Sequence, residues 1–206
     1  MLRVKCDDEG WSKGVEIIKK GGVVVYPTDT VYGVGCDPFN ESAVRRVIEL
    51  KGRVNVRKPL PILCSSLQHA LRLVELGEIG LKLASSFWPG ALTIVAPLKE
   101  RSLPSIVTSS SNKLGIRIPN HPCAIKLIEP SGGFIIGTSA NKTNLKPPIT
   151  AEEVLKVFNV EFDILLDGGQ TPFQMESTVV EISNEKVIIL REGYLRYDRI
   201  LQVIEG

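Results

Sequence analysis

Basic side chains are concentrated in one short stretch of this chain. Six of them fall within fourteen residues, against a single acid, Glu49, while the whole chain carries a formal net charge of only +2. A strong local charge on a nearly neutral protein indicates a small polyanionic ligand rather than a general nucleic-acid surface. The six cations are Arg45, Arg46, Lys51, Arg53, Arg57 and Lys58.

A purely structural interpretation of this stretch remains open. Lys51 and Arg53 follow a predicted helix, and cations near the carbonyl end of a helix are stabilising whether or not a ligand binds. Lys58 precedes Pro59 and is also compatible with a solvated loop. Three further cations in the same stretch exceed what one helix end needs, so we favour an anion-binding site.

Polar side chains also follow apolar strands at several points along the chain. In proteins built from a sheet and helices, ligands gather at strand ends, where loops expose polar groups on a rigid base. These side chains are therefore candidates for a binding site. They are Thr28, Asp29 and Thr30 after strand 23–26, Thr138, Ser139 and Asn141 after strand 134–136, and Arg191 at the end of strand 186–191.

Each of these candidates has a structural alternative. Ser139 and Asn141 are residue types that favour turns and caps. Arg117 lies in a predicted strand whose alternation puts Leu114, Ile116 and Ile118 on the other face. A lone strand arginine usually faces water, because an unpaired buried charge is costly. The residues alone leave both interpretations open.

Three familiar nucleotide and hydrolase motifs are absent. Gly33-Val34-Gly35 begins like a dinucleotide fingerprint, but Pro38 stands where the third glycine belongs. The chain has no G-x-x-x-x-G-K-[ST] loop. Its segment from Gly137 to Asn141 departs from the G-x-S-x-G elbow, and only His69 and His121 are available as bases. These patterns argue against Rossmann, P-loop and serine hydrolase functions.

Length and composition predict one cytosolic globular domain over residues 1–206. The apolar content of 43% is ordinary, the apolar runs are too short to span a bilayer, and the N-terminus lacks the apolar block of a signal peptide. With no C-x-x-C pair, we expect the four cysteines to be buried apolar residues without a disulfide. They are Cys6, Cys36, Cys64 and Cys123.

Alternating apolar strands and amphipathic helices predict a mixed α/β fold. We expect an open, twisted mixed sheet with helices packed outside it. Predicted strands cover 23–26, 60–64, 91–97, 114–119, 134–136, 162–166, 178–182 and 186–191. Predicted helices cover 11–20, 41–51, 66–76, 78–87, 122–129 and 195–204, with another beginning after Thr150. Asn40 or Ser42 is expected to cap the second of these helices, and Ser65 or Ser66 the third.

Taken together, four blocks of residues resemble the YrdC-like threonylcarbamoyl-adenylate synthases. The blocks occur in the family's order across roughly residues 10–195, so the resemblance covers nearly the whole chain and indicates a single-domain member. They are Tyr26 to Asp37; Lys51-Gly52-Arg53 with Lys58-Pro59-Leu60; Trp88 to Thr93 with Gly115 to Pro119; and Ser139-Ala140-Asn141 with Glu176 to Val180 and Arg191-Glu192-Gly193.

The resemblance implies a YrdC-like sheet with a large, basic concave cavity. It also implies an enzyme that condenses L-threonine, bicarbonate and ATP into threonylcarbamoyl-AMP and pyrophosphate. A partner transferase complex would then pass the threonylcarbamoyl group to tRNA. By the same resemblance, Mg²⁺ is expected with ATP, and a contact with tRNA or double-stranded RNA is an option. The short apolar runs predict that no membrane is involved.

Site residues are carried over from the resemblance onto matching positions only. Asp29 is an additional candidate for contact with Mg²⁺. The catalytic candidates are Lys51, Arg53, Ser139 and Asn141. The ATP-binding candidates are Arg53, Lys58, Lys113, Ser139, Asn141, Pro147 and Arg191. The L-threonine-binding candidates are Thr30, Leu63, Arg117, Gly137 and Ser177, with Arg117 the expected partner of the threonine carboxylate.

The chain also departs from the family pattern. The spacing from Arg53 to Lys58 is one residue longer than usual, so Arg57 can share the role given to Lys58. Leu63 stands where some relatives carry a histidine. Two other functions stay open: a non-catalytic YrdC-like module that binds tRNA, and a carbamoyl-transfer enzyme of the kind found inside hydrogenase-maturation proteins.

Overall fold

The computed structural model of the chain describes residues 1–52, 59–158, 162–183 and 186–205. Within these ranges the chain forms eleven β-strands and eight α-helices. The strands are β1 (Leu2–Lys5), β2 (Val24–Tyr26), β3 (Gly33–Gly35), β4 (Ile62–Cys64), β5 (Leu92–Pro97), β6 (Lys113–Arg117), β7 (Phe134–Ile136), β8 (Thr138–Ser139), β9 (Ile164–Asp167), β10 (Thr178–Ser183) and β11 (Lys186–Arg191). The helices are α1 (Asp8–Lys19), α2 (Glu41–Leu50), α3 (Leu67–Leu73), α4 (Gly77–Phe87), α5 (Ser105–Thr108), α6 (Pro122–Ile128), α7 (Ala151–Val157) and α8 (Tyr197–Glu205).

The strands divide between two mixed sheets. One has the order β1-β9-β2-β3-β8, and the other has the order β11-β10-β5-β6-β4-β7. Both contain parallel and antiparallel pairs, which confirms the mixed α/β prediction. We expected one sheet, but the chain forms two, joined where the Ile136 N–H donates to the Cys36 carbonyl at 2.9 Å.

The boundary between the two sheets depends on glycines that lie outside our predicted strands. Gly33-Val34-Gly35 forms strand β3, which pairs with β2 on one side and β8 on the other. A Cβ atom at Gly35 would lie 1.9 Å from the Ile136 carbonyl oxygen. Only glycine therefore allows the two sheets to approach each other at this point.

Capping side chains begin the helices where the sequence offered alternatives. Asn40, rather than Ser42, accepts the N–H of Ala43 at 3.1 Å at the start of α2. Ser66, rather than Ser65, accepts the N–H of His69 at the start of α3. Each cap satisfies a backbone donor that has no partner inside the helix.

Strand β2 is buried on both faces and separates the two parts of the core. Val23 and Val25 point into the larger hydrophobic cluster, while Val24 and Tyr26 point into a smaller one beneath α1 and α6. This alternation follows from the period-two geometry of a strand. Because both of its faces pack on apolar side chains, β2 provides a rigid base for the polar loop that follows it.

Among the described residues, no helix is both long and apolar enough to cross a membrane.

The prediction that no cysteine forms a disulfide was wrong. Cys6, which follows β1, is bonded to Cys123 in α6, with Cα atoms 5.9 Å apart and a sequence separation of 117 positions. The pairing arises because β1 runs beside β9 while α1 packs against α6, which sequence spacing does not reveal. Cys36 and Cys64 are buried and free, and burial raises the pKa of the Cys36 thiol to about 12.

Candidate active site

Four strand ends meet at one edge of the six-stranded sheet. Strands β10 and β5 run parallel and both begin there, and antiparallel β6 ends there at Arg117. Strand β11 also ends at this edge, since Arg191 pairs with Val179 near the start of β10. Residues up to 99 positions apart in sequence, from Leu92 to Arg191, are therefore brought together.

Arg117 is the centre of this region. Its Nε donates to the Gly90 carbonyl at 2.8 Å, its Nη1 donates to the Thr30 hydroxyl at 2.9 Å, and its Nη2 forms an ion pair with Asp29. Only 5% of Arg117 and 1% of Asp29 is exposed. The alternative that Arg117 faces water is therefore wrong, because a buried carboxylate compensates its charge.

The electrostatic surroundings of Arg117 include a second arginine. Burial lowers the pKa of the Arg117 guanidinium, the attraction of Asp29 opposes that shift, and the positive charge of Arg191 adds to it. An arginine remains charged under such conditions. The two positively charged guanidinium groups are close enough to interact electrostatically, and together they favour binding of an anion.

The polar turn after β2 orients Thr30 through a chain of hydroxyl groups. Thr28 donates its hydroxyl proton to the Val31 carbonyl at 2.7 Å and also lies 2.9 Å from the Thr30 hydroxyl. Since the Thr28 proton is used on Val31, Thr30 is the donor to Thr28. The Thr30 oxygen then accepts from Arg117, so the arginine and the turn fix each other.

Ser177 lies immediately before β10, within hydrogen-bond distance of Thr93 and Arg191. Its hydroxyl is 2.8 Å from the Thr93 hydroxyl and accepts from Arg191 Nη2 at 3.3 Å. Arg191 also donates to the Ser177 carbonyl at 2.9 Å and pairs with Glu176 at 2.6 Å. This second cluster therefore joins Arg191 to the strand edge that carries Arg117.

Leu63 and Gly137 border the Arg117 cluster. Leu63 pairs with Arg117 in the register of β4 and β6, and the Gly137 N–H donates to the Pro61 carbonyl at 2.8 Å. A Cβ atom at Gly137 would lie 2.3 Å from Leu63 Cγ. The turn after β7 can approach this close only because position 137 is glycine.

Lys51 supports the loop that carries Ser139 and Asn141. Its buried ammonium donates to the Ser139 carbonyl and to the Asn141 carbonyl at 2.9 Å, and the Lys51 carbonyl accepts the Thr143 N–H at 3.1 Å. Asn141 Nδ2 in turn donates to the Leu145 carbonyl at 2.5 Å. These contacts bring three of the catalytic candidates together.

The remaining nucleotide candidates are more dispersed. Lys113 begins β6, about 13 Å from Arg117 at its other end, and pairs with Glu181 at 2.7 Å. Pro147 is half-buried, beside the Pro148 carbonyl that accepts the Tyr32 N–H. Arg53 and Lys58, with Arg57, lie outside the described residues.

Sequence reasoning assigned no role to several groups that build the site. The Thr93 hydroxyl is hydrogen-bonded to the Ser177 hydroxyl, and the Gly90 carbonyl accepts from Arg117. The Asn120 N–H donates to Asp29 at 3.1 Å. Thr93 was detectable, since it is a polar residue within an otherwise apolar strand. The Gly90 and Asn120 contacts use backbone atoms and leave no signal in the residue types.

The fold and this edge of the sheet can now be compared with known proteins. A family model named for Sua5, YciO and YrdC, described as "Telomere recombination", matches residues 16–193. The chain belongs to the Sua5/YciO/YrdC family. The resemblance predicted from the four sequence blocks is therefore confirmed.

Two curated relatives of this Sua5/YciO/YrdC protein are named threonylcarbamoyl-AMP synthase. The one from Pyrococcus abyssi is 37% identical and covers 91% of this chain. The one from Bacillus subtilis is 33% identical and covers 98% of this chain. The chain spans only 55% and 58% of the lengths of these relatives.

A solved structure supports the same family assignment. The crystal structure of P. abyssi Sua5 complexed with L-threonine matches with a TM-score of 0.92 and 35% sequence identity. The match covers 98% of this chain and 59% of that chain. The predicted YrdC-like fold class is confirmed by this agreement.

Proposed function

We propose that this protein condenses L-threonine, bicarbonate and ATP into threonylcarbamoyl-AMP and pyrophosphate. The names of its relatives support this activity. The observation that carries the proposal is the buried Arg117, fixed beside Thr30 and near Ser177 at one strand edge. Its contacts with the described residues use three of its five N–H groups, which leaves two for the oxygens of a carboxylate.

The reaction asks the protein for positioning rather than for a nucleophile. The amine of threonine combines with bicarbonate to give a carbamate and water. A carbamate oxygen then attacks the α-phosphorus of ATP, and pyrophosphate leaves. Holding the two substrates in line and neutralising charge on the phosphates are the main contributions available to a protein in such a step.

The nucleotide is proposed to bind on the side of Arg191 and the loop of Ser139 and Asn141. Arg191 is well suited to phosphate because its exposed pair with Glu176 can be exchanged for a more highly charged partner. Lys113 and Pro147 are proposed to border the nucleotide, and Arg53 and Lys58 to contact its triphosphate. Thr30, Leu63, Arg117, Gly137 and Ser177 are proposed to surround L-threonine.

Mg²⁺ is proposed to enter with ATP. Asp29 is a poor ligand for it, because Arg117 and the Asn120 N–H already occupy one of its oxygens and a cation would be repelled by the adjacent guanidinium. Mg²⁺ is commonly held by substrate phosphates together with few protein groups. We therefore propose that the phosphates hold the ion.

The wider role is proposed to be tRNA modification in the cytoplasm. Threonylcarbamoyl-AMP would pass to a partner transferase complex, with or without direct contact between this chain and tRNA. The Cys6–Cys123 disulfide is unusual for a reducing compartment, apart from that of hyperthermophiles. Thiol titration of protein extracted under acid-quenched conditions would test the compartment, since fully reduced cysteines are expected only where glutathione or thioredoxin acts.

The activity is tested by pyrophosphate release from ATP. We expect release only when L-threonine and bicarbonate are both present, and loss of release when either is omitted. Binding of ATP without release under any condition would contradict the proposal and favour a non-catalytic module. Release that needs neither L-threonine nor bicarbonate would indicate a different acceptor.

A further inference from the structure

We propose that Asp29 is a positioning residue for Arg117 and thereby sets the affinity of the protein for L-threonine. This inference rests on the proposed function, because it assumes that Arg117 receives the threonine carboxylate. It gives Asp29 a role distinct from the metal contact that the sequence suggested.

Asp29 is held from three directions by separate parts of the chain. Its Oδ1 accepts from Arg117 Nη2 and from the Asn120 N–H at 3.1 Å. Its backbone carbonyl accepts the Phe173 N–H at 3.0 Å. The carboxylate therefore cannot move without disturbing the segments around positions 120 and 173. A group fixed in this way can fix what it binds.

Direct contact between Asp29 and a substrate is not supported by its burial. Only 1% of the residue is exposed, and its second oxygen, Oδ2, is closed to solvent and has no hydrogen-bond partner among the described residues. Because water does not reach this oxygen, a ligand atom could contact it only after the surrounding residues rearranged. Asp29 therefore acts through the guanidinium that it binds.

The unsatisfied Oδ2 marks a local cost that needs a reason. Buried polar atoms are almost always paired, so each exception calls for an explanation. A neutral residue at position 29 would avoid this cost but would leave the Arg117 charge buried without compensation. A carboxylate at this position compensates the charge of an arginine that is buried away from water.

The consequence for Arg117 is a defined orientation. Gly90, Thr30 and Asp29 engage Nε, Nη1 and Nη2 respectively. One N–H on each terminal nitrogen then remains, which matches the two oxygens of a carboxylate. Without Asp29, Nη2 loses its anchor, and part of the binding energy must be spent on ordering the arginine.

The test compares Asp29→Ala and Asp29→Asn with a matched control, Asp163→Ala. Asp163 likewise accepts from one arginine, Arg46 at 3.0 Å, and from one backbone N–H, Val23 at 2.7 Å, but it lies outside the candidate site. Initial rates of pyrophosphate release are measured with varied L-threonine at saturating ATP, and then with varied ATP at saturating L-threonine. Thermal denaturation of each variant checks folding.

We expect Asp29→Ala to raise the KM for L-threonine by about tenfold or more while the KM for ATP changes by less than about twofold. Asp29→Asn should give a smaller rise, since its amide oxygen can still accept both N–H bonds but lacks the charge. Asp163→Ala should leave both values within about twofold of the unmodified protein. If Asp29→Ala does not fold, Asp29→Asn carries the test.

An unchanged KM for L-threonine in a folded Asp29 variant would overturn the inference. Equal rises in both KM values would also overturn it, because they indicate general damage. If the unmodified protein binds L-threonine by calorimetry but releases no pyrophosphate, only the proposed function fails. The tenfold effect of Asp29→Ala is then expected in the dissociation constant for L-threonine. If it binds no L-threonine, both proposals fall.

Discussion

Two arginine–carboxylate pairs lie at the same edge of the six-stranded sheet and differ in almost every physical respect. The side chains of Arg117 and Asp29 are 6% and 1% exposed, whereas those of Arg191 and Glu176 are 42% and 34% exposed. The first pair is surrounded by further bonds to Gly90, Thr30 and Asn120. The second pair is open to solvent.

The difference indicates that the two halves of the candidate site are prepared in different ways. The buried half is fixed before any ligand arrives, as the proposed binding of a small amino acid with few groups requires. The other half consists of ion pairs that are exposed or partly exposed and cost little to break, including Lys113 with Glu181. A triphosphate can replace such partners because it carries more charge than a carboxylate.

The largest effect is expected from breaking the buried pair on one side. Arg117→Ala should lower the free energy of unfolding by about 3–5 kcal/mol, because Asp29 is then left buried without a counter-charge. Urea denaturation followed by circular dichroism measures the change. Arg191→Ala is the control, and its cost should be below about 1 kcal/mol. Equal losses in the two variants would show that burial does not distinguish the pairs.

The disulfide offers a second test of how the buried half is supported. It anchors α6, and the segment leading into α6 carries the Asn120 N–H that binds Asp29. Cys6→Ser should destabilise the protein by about 2–4 kcal/mol, since a cross-link over a long loop restricts the unfolded chain. Dithiothreitol should destabilise the unmodified protein similarly and leave Cys6→Ser unaffected. Coincident thermal unfolding curves with and without reductant would contradict this expectation.

Local patterns in the sequence were sufficient to predict much of the architecture. Strand Phe134–Ile136 and helix α2 with its Asn40 cap depend on residues close to one another, so their signals survive in a linear reading. The same holds for the polar turn after β2. The family blocks then predicted which of these local elements should form a site.

Contacts between distant residues were not predictable in this way. The Lys51 ammonium contacts a carbonyl 88 positions away, and the disulfide spans 117 positions. Strand β3 was missed because glycines reduce the apolar signal of a strand, although here they permit close packing of two sheets. Asp29 illustrates the limit best, since its residue type suggests a metal ligand and only the fold reveals its arginine partner.

The exposed pair can be sharpened by removing its carboxylate alone. Glu176→Gln frees Arg191 and should lower the KM for ATP by about two- to threefold at low salt, with little change in the free energy of unfolding. The effect should shrink in about 0.5 M salt, because exposed charges are screened. Pyrophosphate release at both salt concentrations gives the measurement, with Glu192→Gln as the control. A higher KM for ATP would show that Glu176 positions Arg191 as Asp29 is proposed to position Arg117.

The smallest effect is expected from pH, and it concerns the boundary of the buried half. Burial lowers the pKa of the His121 imidazole, and the nearby charge of Asp29 only partly opposes this shift. His121 Nδ1 accepts the Cys123 N–H at 3.2 Å as the cap of α6, which a protonated ring cannot do. The unfolded chain therefore binds a proton more readily than the folded one, and stability should fall as pH drops below about 6.5. His121→Asn keeps a capping oxygen but does not titrate, so the difference between its urea midpoint and that of the unmodified protein should change between pH 7.5 and 5.5. A constant difference over that range would mean that His121 does not couple pH to the support of Asp29.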